Sequence, residues 1–217
     1  MMMMMMMMMM MMVMQNTAVT TLDLAGNALA WSDAGVLLDS FLSCNTTVRG
    51  LNLARNAEEE GASSEWEEVD AFCKSLARGV DANSTLTPLD LSYNALFEEG
   101  FSTEDTTPGF HALMRAVCTC RSLRELKLVG NEFGDYGAQC ILTHFQSGAP
   151  RSLASLHLGH TNASAEMLHA LMATDRLDTL CAVPVKRLMR LMGSESGSES
   201  GSESDSESDS VAPGSKV

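Results

Sequence analysis

The sequence is poor in basic residues. Fourteen Lys and Arg stand against 28 Asp and Glu in 217 residues, a formal net charge of −14. A surface that tracks a phosphate backbone needs clustered Lys and Arg, so nucleic-acid binding is not expected. Long apolar runs are missing too. Apart from an N-terminal methionine tract, nothing approaches the roughly 18 residues of a membrane span, and no membrane partner is expected. The tract itself is Met1–Met14, interrupted by Val13. It lacks the basic n-region and Ala-x-Ala cleavage site of a secretory signal. It reads as a repeated start codon, with translation able to begin as late as Met14, so residues 1–14 are set aside as disordered or untranslated.

Catalytic and cofactor motifs are equally scarce. The chain has no G-x-x-x-x-G-K-[ST], no G-x-G-x-x-G and no H-E-x-x-H. The six cysteines are Cys44, Cys73, Cys118, Cys120, Cys140 and Cys181. Without a secretion signal they read as reduced thiols of a cytoplasmic protein, with the nucleus as the alternative. Cys118 and Cys120 form one close pair, whereas zinc sites usually show two. Cys73 and Cys140 fall inside helix patterns, as small buried apolar residues. His157 and His160 are three apart, but no third ligand joins them at matching spacing. Asp23, Asn52 and Asp90 on adjacent strands would make a poor oxygen cage on an open sheet. Nothing marks an activated nucleophile. The expectation is a non-enzymatic monomer with no cofactor and no metal.

What the chain has is a repeat. Five segments align: Val19-Thr-Thr-Leu22-Asp-Leu24-Ala-Gly-Asn27, Val48-Arg-Gly-Leu51-Asn-Leu53-Ala-Arg-Asn56, Leu86-Thr-Pro-Leu89-Asp-Leu91-Ser-Tyr-Asn94, Leu123-Arg-Glu-Leu126-Lys-Leu128-Val-Gly-Asn131 and Leu153-Ala-Ser-Leu156-His-Leu158-Gly-His-Thr161. A sixth starts at Leu177-Asp-Thr-Leu180. The pattern is L-x-x-L-x-L-x-x-N, the signature of leucine-rich repeats. The second leucines, Leu22, Leu51, Leu89, Leu126, Leu156 and Leu180, are 29, 38, 37, 30 and 24 residues apart. A unit of 29–30 residues has room for a full helix after each strand, and this resembles the ribonuclease-inhibitor-like class. The two long units carry insertions around residues 58–64 and 98–107. The resemblance implies an α/β solenoid, a horseshoe with parallel strands on the concave face and helices on the convex face, filling residues 15–192 in about five or six repeats.

The helices have their own signals. Leu37, Leu38, Phe41 and Leu42 recur at helical spacing after Asn27. Ser64-Glu-Trp-Glu67 is a capping box ahead of Trp66, Val69, Phe72 and Leu76. Thr107-Pro108 is an N-cap followed by proline at the first helical position, ahead of Phe110, Leu113, Met114 and Val117. Ile141, Leu142 and Phe145 mark the fourth helix. Ser164 caps a fifth, with Met167, Leu168, Leu171 and Met172 as its stripe.

Strands are expected to start near Thr21, Gly50, Pro88, Glu125 and Ser155, with the leucines pointing inward. Pro88 removes a donor from its strand. Asn27, Asn56, Asn94 and Asn131 fall where the chain leaves the sheet, and their amides can satisfy backbone groups there, a structural role. The residues between the leucines must face outward. From these, Asp23, Asn52, Asp90, Glu125, Lys127 and His157 are the candidate partner contacts.

Residues 193–217 form a separate Gly/Ser/acidic tail, expected to be disordered. Ser196, Ser200, Ser202, Ser204 and Ser206 each precede an acid by three residues, a pattern that resembles substrates of acidophilic kinases. Each phosphate would add about 1.5–2 negative charges; otherwise the tail serves as a solubilising linker. Just before it, Lys186, Arg187 and Arg190 mix with Val185, Leu188, Met189 and Leu191, a segment expected to cover the last repeat. The repeats begin at Val19 with no capping unit ahead, which leaves open that the chain is part of a longer product.

Two functions fit. The first is an adaptor or scaffold that binds a protein partner, one with a basic patch, on its concave face. The alternative is an acidic-tailed chaperone of basic proteins such as histones. A leucine-rich domain with an acidic tail resembles the acidic nuclear phosphoprotein family of histone binders, although that family's repeats are shorter and its tail is longer and more purely acidic.

Overall fold

The strand leucines sit two residues apart, and that spacing puts both on one side of each strand. In the computed structural model, which describes residues 12, 16–29, 31–57, 66–97, 107–147, 152–174, 177–180 and 183–184, each repeat supplies a three-residue strand at the expected place. These are β1 (Thr21–Asp23), β2 (Gly50–Asn52), β3 (Pro88–Asp90), β4 (Glu125–Lys127) and β5 (Ser155–His157). The sixth repeat adds the shorter β6 (Thr179–Leu180). All six pair in parallel and in chain order, Leu22 against Leu51, Leu51 against Leu89, and so on to Leu156 against Leu180.

Helices alternate with the strands. They are α1 (Trp31–Cys44), α2 (Trp66–Ala82), α3 (Pro108–Thr119), α4 (Gly134–Ser147) and α5 (Ala165–Met172). Their apolar stripes meet the leucines in one continuous core. Four of the largest buried side chains are Phe41, Phe72, Phe110 and Phe145, one from each of α1 to α4. No unit could bury its leucine face alone, so stacking is what stabilises each one.

Two departures from the expected regularity have local causes. The β2–β3 pairing starts one rung late, at Leu51–Leu89. In the other parallel pairs the first strand residue sends its N–H back to the preceding repeat, as in Gly50 to Thr20 O (3.1 Å) and Glu125 to Thr87 O (3.1 Å). Pro88 has no N–H to send. The second departure is a seventh strand, β7 (Val183–Pro184), which pairs antiparallel with β6. The six repeat strands are parallel as expected, and this antiparallel pair adds to them at the sheet edge. The basic segment expected to cover the last repeat, Lys186 to Leu191, lies outside the described residues, as do Ser64 and the insertions but for Thr107.

Caps follow the sequence in one case and depart from it in another. Ser164 caps α5, its Oγ accepting the Met167 N–H at 3.4 Å. Thr107 is the N-cap residue of α3 by position, but its side chain makes no cap bond. The N–H of Gly109 goes instead to the Asp70 carboxylate of α2. Among the described residues, no helix is long and apolar enough to cross a membrane.

Candidate binding face

The sheet sets the site by register. Thr21, Gly50, Pro88, Glu125, Ser155 and Thr179 fall in one outward row. Asp23, Asn52, Asp90, Lys127 and His157 fall in a second. All six candidate contacts therefore share one face. Successive strands in such a sheet are about 4.8 Å apart, close enough for side chains of one row to interact.

Three of the row's members are also bound locally. Asp23 Oδ1 accepts the Ala25 N–H, Asn52 Oδ1 the Ala54 N–H and Asp90 Oδ1 the Ser92 N–H, each at 3.0 Å. These Asx turns end the strands. One oxygen of each group faces its own backbone, which leaves the second carboxylate oxygen of Asp23 and Asp90 and the amide nitrogen of Asn52 for contacts across the row.

Charges on this face are partly matched. Lys127 Nζ lies 3.7 Å from Asp90 Oδ2 and 3.8 Å from Glu125 Oε1. His157 Nε2 lies 3.1 Å from Glu125 Oε1 and 3.0 Å from Ser155 Oγ. Asp23, exposed at the other end, is outside this group. The face is thus closer to neutral around β3 to β5 than its acids alone suggest. His157 is held by Glu125 and Ser155, while His160 sits exposed in the following turn at φ 54°.

The asparagines behind the face form a ladder. Asn56 Nδ2 donates to Leu24 O (3.0 Å) and Leu53 O (2.8 Å), and its Oδ1 accepts the Asn27 N–H (2.9 Å). Asn94 repeats this with Leu53 O (2.8 Å) and the Asn56 N–H (2.7 Å). Asn131 does so with Leu91 O (3.0 Å), Leu128 O (2.9 Å) and the Asn94 N–H (3.2 Å). Each amide thus fastens one repeat to the one before. Asn27 has none before it; it is exposed, with Nδ2 on Ala25 O at 3.1 Å. Thr161 ends the series, its hydroxyl donating to Leu158 O at 2.9 Å.

Sequence reasoning missed a second ladder at the other end of the strands. Asn45 Oδ1 accepts from Thr47 N (2.9 Å) and Val48 N (2.8 Å), and Asn83 Oδ1 from Thr85 N (2.9 Å) and Leu86 N (2.7 Å). Asn83 Nδ2 reaches back to Leu42 O at 2.8 Å. The signal was present: Asn16, Asn45 and Asn83 each stand three residues before the first position of a repeat. Cys120 takes the same place in the fourth, buried, with Sγ 3.9 Å from Asn83 O.

A rim also went unread. The residue before each ladder position, Gly26, Arg55, Tyr93, Gly130 and His160, has positive φ in every repeat. That conformation projects Arg55 and Tyr93 beside the sheet, the Arg55 guanidinium 5.0 Å from the centre of the half-exposed Tyr93 ring.

Burial keeps two of the thiols protonated. Burial pushes the Cys118 thiol up to about 12. Burial and then the nearby Asp70 carboxylate push Cys73 up as well. Cys140 is buried as expected, but it is not surrounded only by apolar groups. It packs against His111 and His144, a grouping that the reading of Cys140 as apolar filling did not foresee.

The family described as Leucine Rich repeat matches residues 82–100 and 119–142, which carry Asn94 and Asn131. The chain has a leucine-rich-repeat fold. Its leucine-rich-repeat fold is similar to the Actin-Binding Site 2 domain of leiomodin-1, at 17% identity over 86% of this chain and 94% of that one, with a TM-score of 0.56. It is also similar to the tropomodulin C-terminal domain of Caenorhabditis elegans, at 16% identity over 83% and 92%, with a TM-score of 0.52. At such identities the likeness is one of fold. The serines singled out in the tail, Ser196, Ser200, Ser202, Ser204 and Ser206, lie outside the described residues.

Proposed function

We propose that the chain is a non-catalytic adaptor that binds a protein partner on its concave face. The observation that carries this is the in-register row Asp23, Asn52, Asp90, Lys127 and His157. These side chains differ from strand to strand although the fold needs none of them to be charged. A partner meets them on a packed sheet without first ordering a loop, which lowers the entropic cost of association. Tyr93 and Arg55 on the rim belong to the residue types that most often dominate such contacts. The acids of the row favour a partner with a basic patch. The similar leiomodin-1 domain is named for binding actin, a protein, which makes actin the first partner to try. The reading of the cysteines as reduced thiols supports a cytoplasmic location, with the nucleus as the alternative.

The test is site-specific photo-crosslinking. A photoreactive side chain at Lys127 is compared with one at Val36, which is exposed on the helical side. Each is tried with purified actin, with histones and with native cell extract. A partner captured from Lys127 and not from Val36 supports the proposal. Histones that bind without crosslinking at either position, and that no longer bind when the chain ends at Gly193, would favour the chaperone reading.

A further inference from the structure

We propose that His111, Cys140 and His144 form a binding site for a divalent transition-metal ion, zinc in the first place, on the convex side of the solenoid. Cys140 and His144 are four residues apart on α4, so one helical face presents both. His111 comes from the first turn of α3, the neighbouring helix. Its Nδ1 lies 3.3 Å from His144 Nε2 and 3.3 Å from Cys140 Sγ. All three ligand atoms lie within 4.8 Å of one another. With metal–nitrogen bonds of about 2.0–2.1 Å and a metal–sulfur bond of about 2.3 Å, ligand atoms around a tetrahedral ion stand roughly 3.3–3.6 Å apart. Both edges at His111 are thus near the required length, and the third is within 4.8 Å.

The chemistry of the cluster points the same way. A neutral imidazole nitrogen has either one lone pair or one proton, so His111 Nδ1 can make one good hydrogen bond, not two. An ion in the centre satisfies all three groups together. Two imidazoles and a thiolate suit zinc, cobalt or copper and not magnesium or calcium, which take oxygen ligands. With three protein ligands, water takes the fourth position. The other nitrogen of His111, Nε2, is buried and has no partner among the described residues. Metal-bound histidines usually donate that N–H to a carboxylate or carbonyl. A metal-bound histidine without that partner holds its ion more weakly. The location gives the ion something to do. Helices α3 and α4, like α4 and α5, touch far less than α1 and α2 or α2 and α3, so an ion bridging His111 to Cys140 and His144 clamps a loose junction.

The experiment is a Co2+ titration of the full reduced chain, followed by visible and ultraviolet absorption. Tetrahedral ligand-field bands and a thiolate-to-cobalt charge-transfer band are expected to saturate at one equivalent and to be displaced by Zn2+. Cys140→Ser abolishes the charge-transfer band, whereas Cys44→Ser, at an exposed cysteine of α1, leaves it intact. His144→Gln, at a half-buried position whose change spares the core, weakens Co2+ binding by about tenfold or more. Circular dichroism confirms that each variant is folded. The thermal midpoint of the native chain rises with added Zn2+ and that of Cys140→Ser does not. No charge-transfer band from the folded native chain at excess Co2+ overturns the proposal. So does a band that persists in Cys140→Ser, or equal Co2+ affinity in the native and His144→Gln chains.

Discussion

Asp70 of α2 accepts the backbone N–H of Gly109 at the start of α3, so one helix caps the next. Pro108 leaves Gly109 as the first residue of α3 with an N–H to satisfy, and the Thr107 hydroxyl does not reach it. Asp70 is held in turn by Lys74 at 2.6 Å. A Cβ on Gly109 would overlap the Asp70 carbonyl. In an ordinary helix Gly→Ala gains about 1 kcal/mol. Here Gly109→Ala is expected to lose about 2 kcal/mol, because the backbones must separate. Asp70→Ala should lose about 1 kcal/mol through the lost cap. Urea denaturation measures both, and a stabilised Gly109→Ala chain would show that α2 and α3 are not in this contact.

The two ends of the asparagine ladder differ sharply. Asn94 is fully buried, joins three repeats and offers its amide to Leu53 O and the Asn56 N–H. Asn94→Ala strands those groups and should cost about 2–4 kcal/mol. Asn27 is exposed and its amide meets only Ala25 O within its own turn, while its backbone N–H serves Asn56 whatever its side chain. Asn27→Ala should stay within about 0.5 kcal/mol. Equal losses in denaturant would mean that the amides do not link repeats.

These residues also show what was legible in the sequence. Strand positions and the asparagine places could be read because each repeat writes them again at fixed offsets from its leucines. The second ladder was equally periodic but passed over, since its polar residues lie outside the leucine motif. Asp70 with Gly109, and His111 with Cys140 and His144, could not be read. Each meeting depends on how far two helices are shifted along each other, and insertions of varying length between repeats hide that shift. The antiparallel β7 was hidden for another reason: a two-residue strand has no period.

Neighbouring residues on β4 test the register. Leu126 is 0% exposed, whereas the Lys127 side chain is 40% exposed. Leu126→Asp buries an unpaired carboxylate and costs several kcal/mol, on the order of the whole stability of a domain. Lys127→Asp places an acid beside Asp90 and Glu125 in solvent and costs at most about 1 kcal/mol. Thermal melts of the two should differ accordingly; similar losses would mean the strand is displaced by one residue.

The buried thiols predict an alkaline limit. Cys118 in the folded chain ionises only near 12, whereas its ordinary value is 9.0. Between these values the unfolded chain has released a proton that the folded chain keeps, so stability falls as pH rises. Below pH 9 the full stability from this group is present. Cys118→Ala lowers stability overall by truncating the core, yet its stability should fall less steeply between about pH 9 and 12 than that of the native chain. Parallel pH profiles from chemical denaturation would rule this out.

The final prediction separates the binding face from the tail. Changing Asp23 and Asp90 to Asn and Glu125 to Gln removes three charges and little else. Asn52 already makes the same turn as Asp23 and Asp90 with an amide oxygen, so the two Asx turns survive the change. Glu125 loses only partly buried surface pairing with Lys127 and His157. The fold is therefore kept while the field over the sheet changes sign around Lys127. A partner with a basic patch should then associate more slowly, and its rate should depend less on salt, while dissociation changes less. Tyr93→Ala should do the reverse, since an aromatic contact on the rim acts mainly on dissociation. A third chain ending at Gly193 lacks the acidic serine tail. Surface plasmon resonance against the crosslinked partner measures all three. If both face variants bind as the native chain does and only the shortened chain fails, the sheet is inert and affinity resides in the tail, as a binder of basic proteins requires.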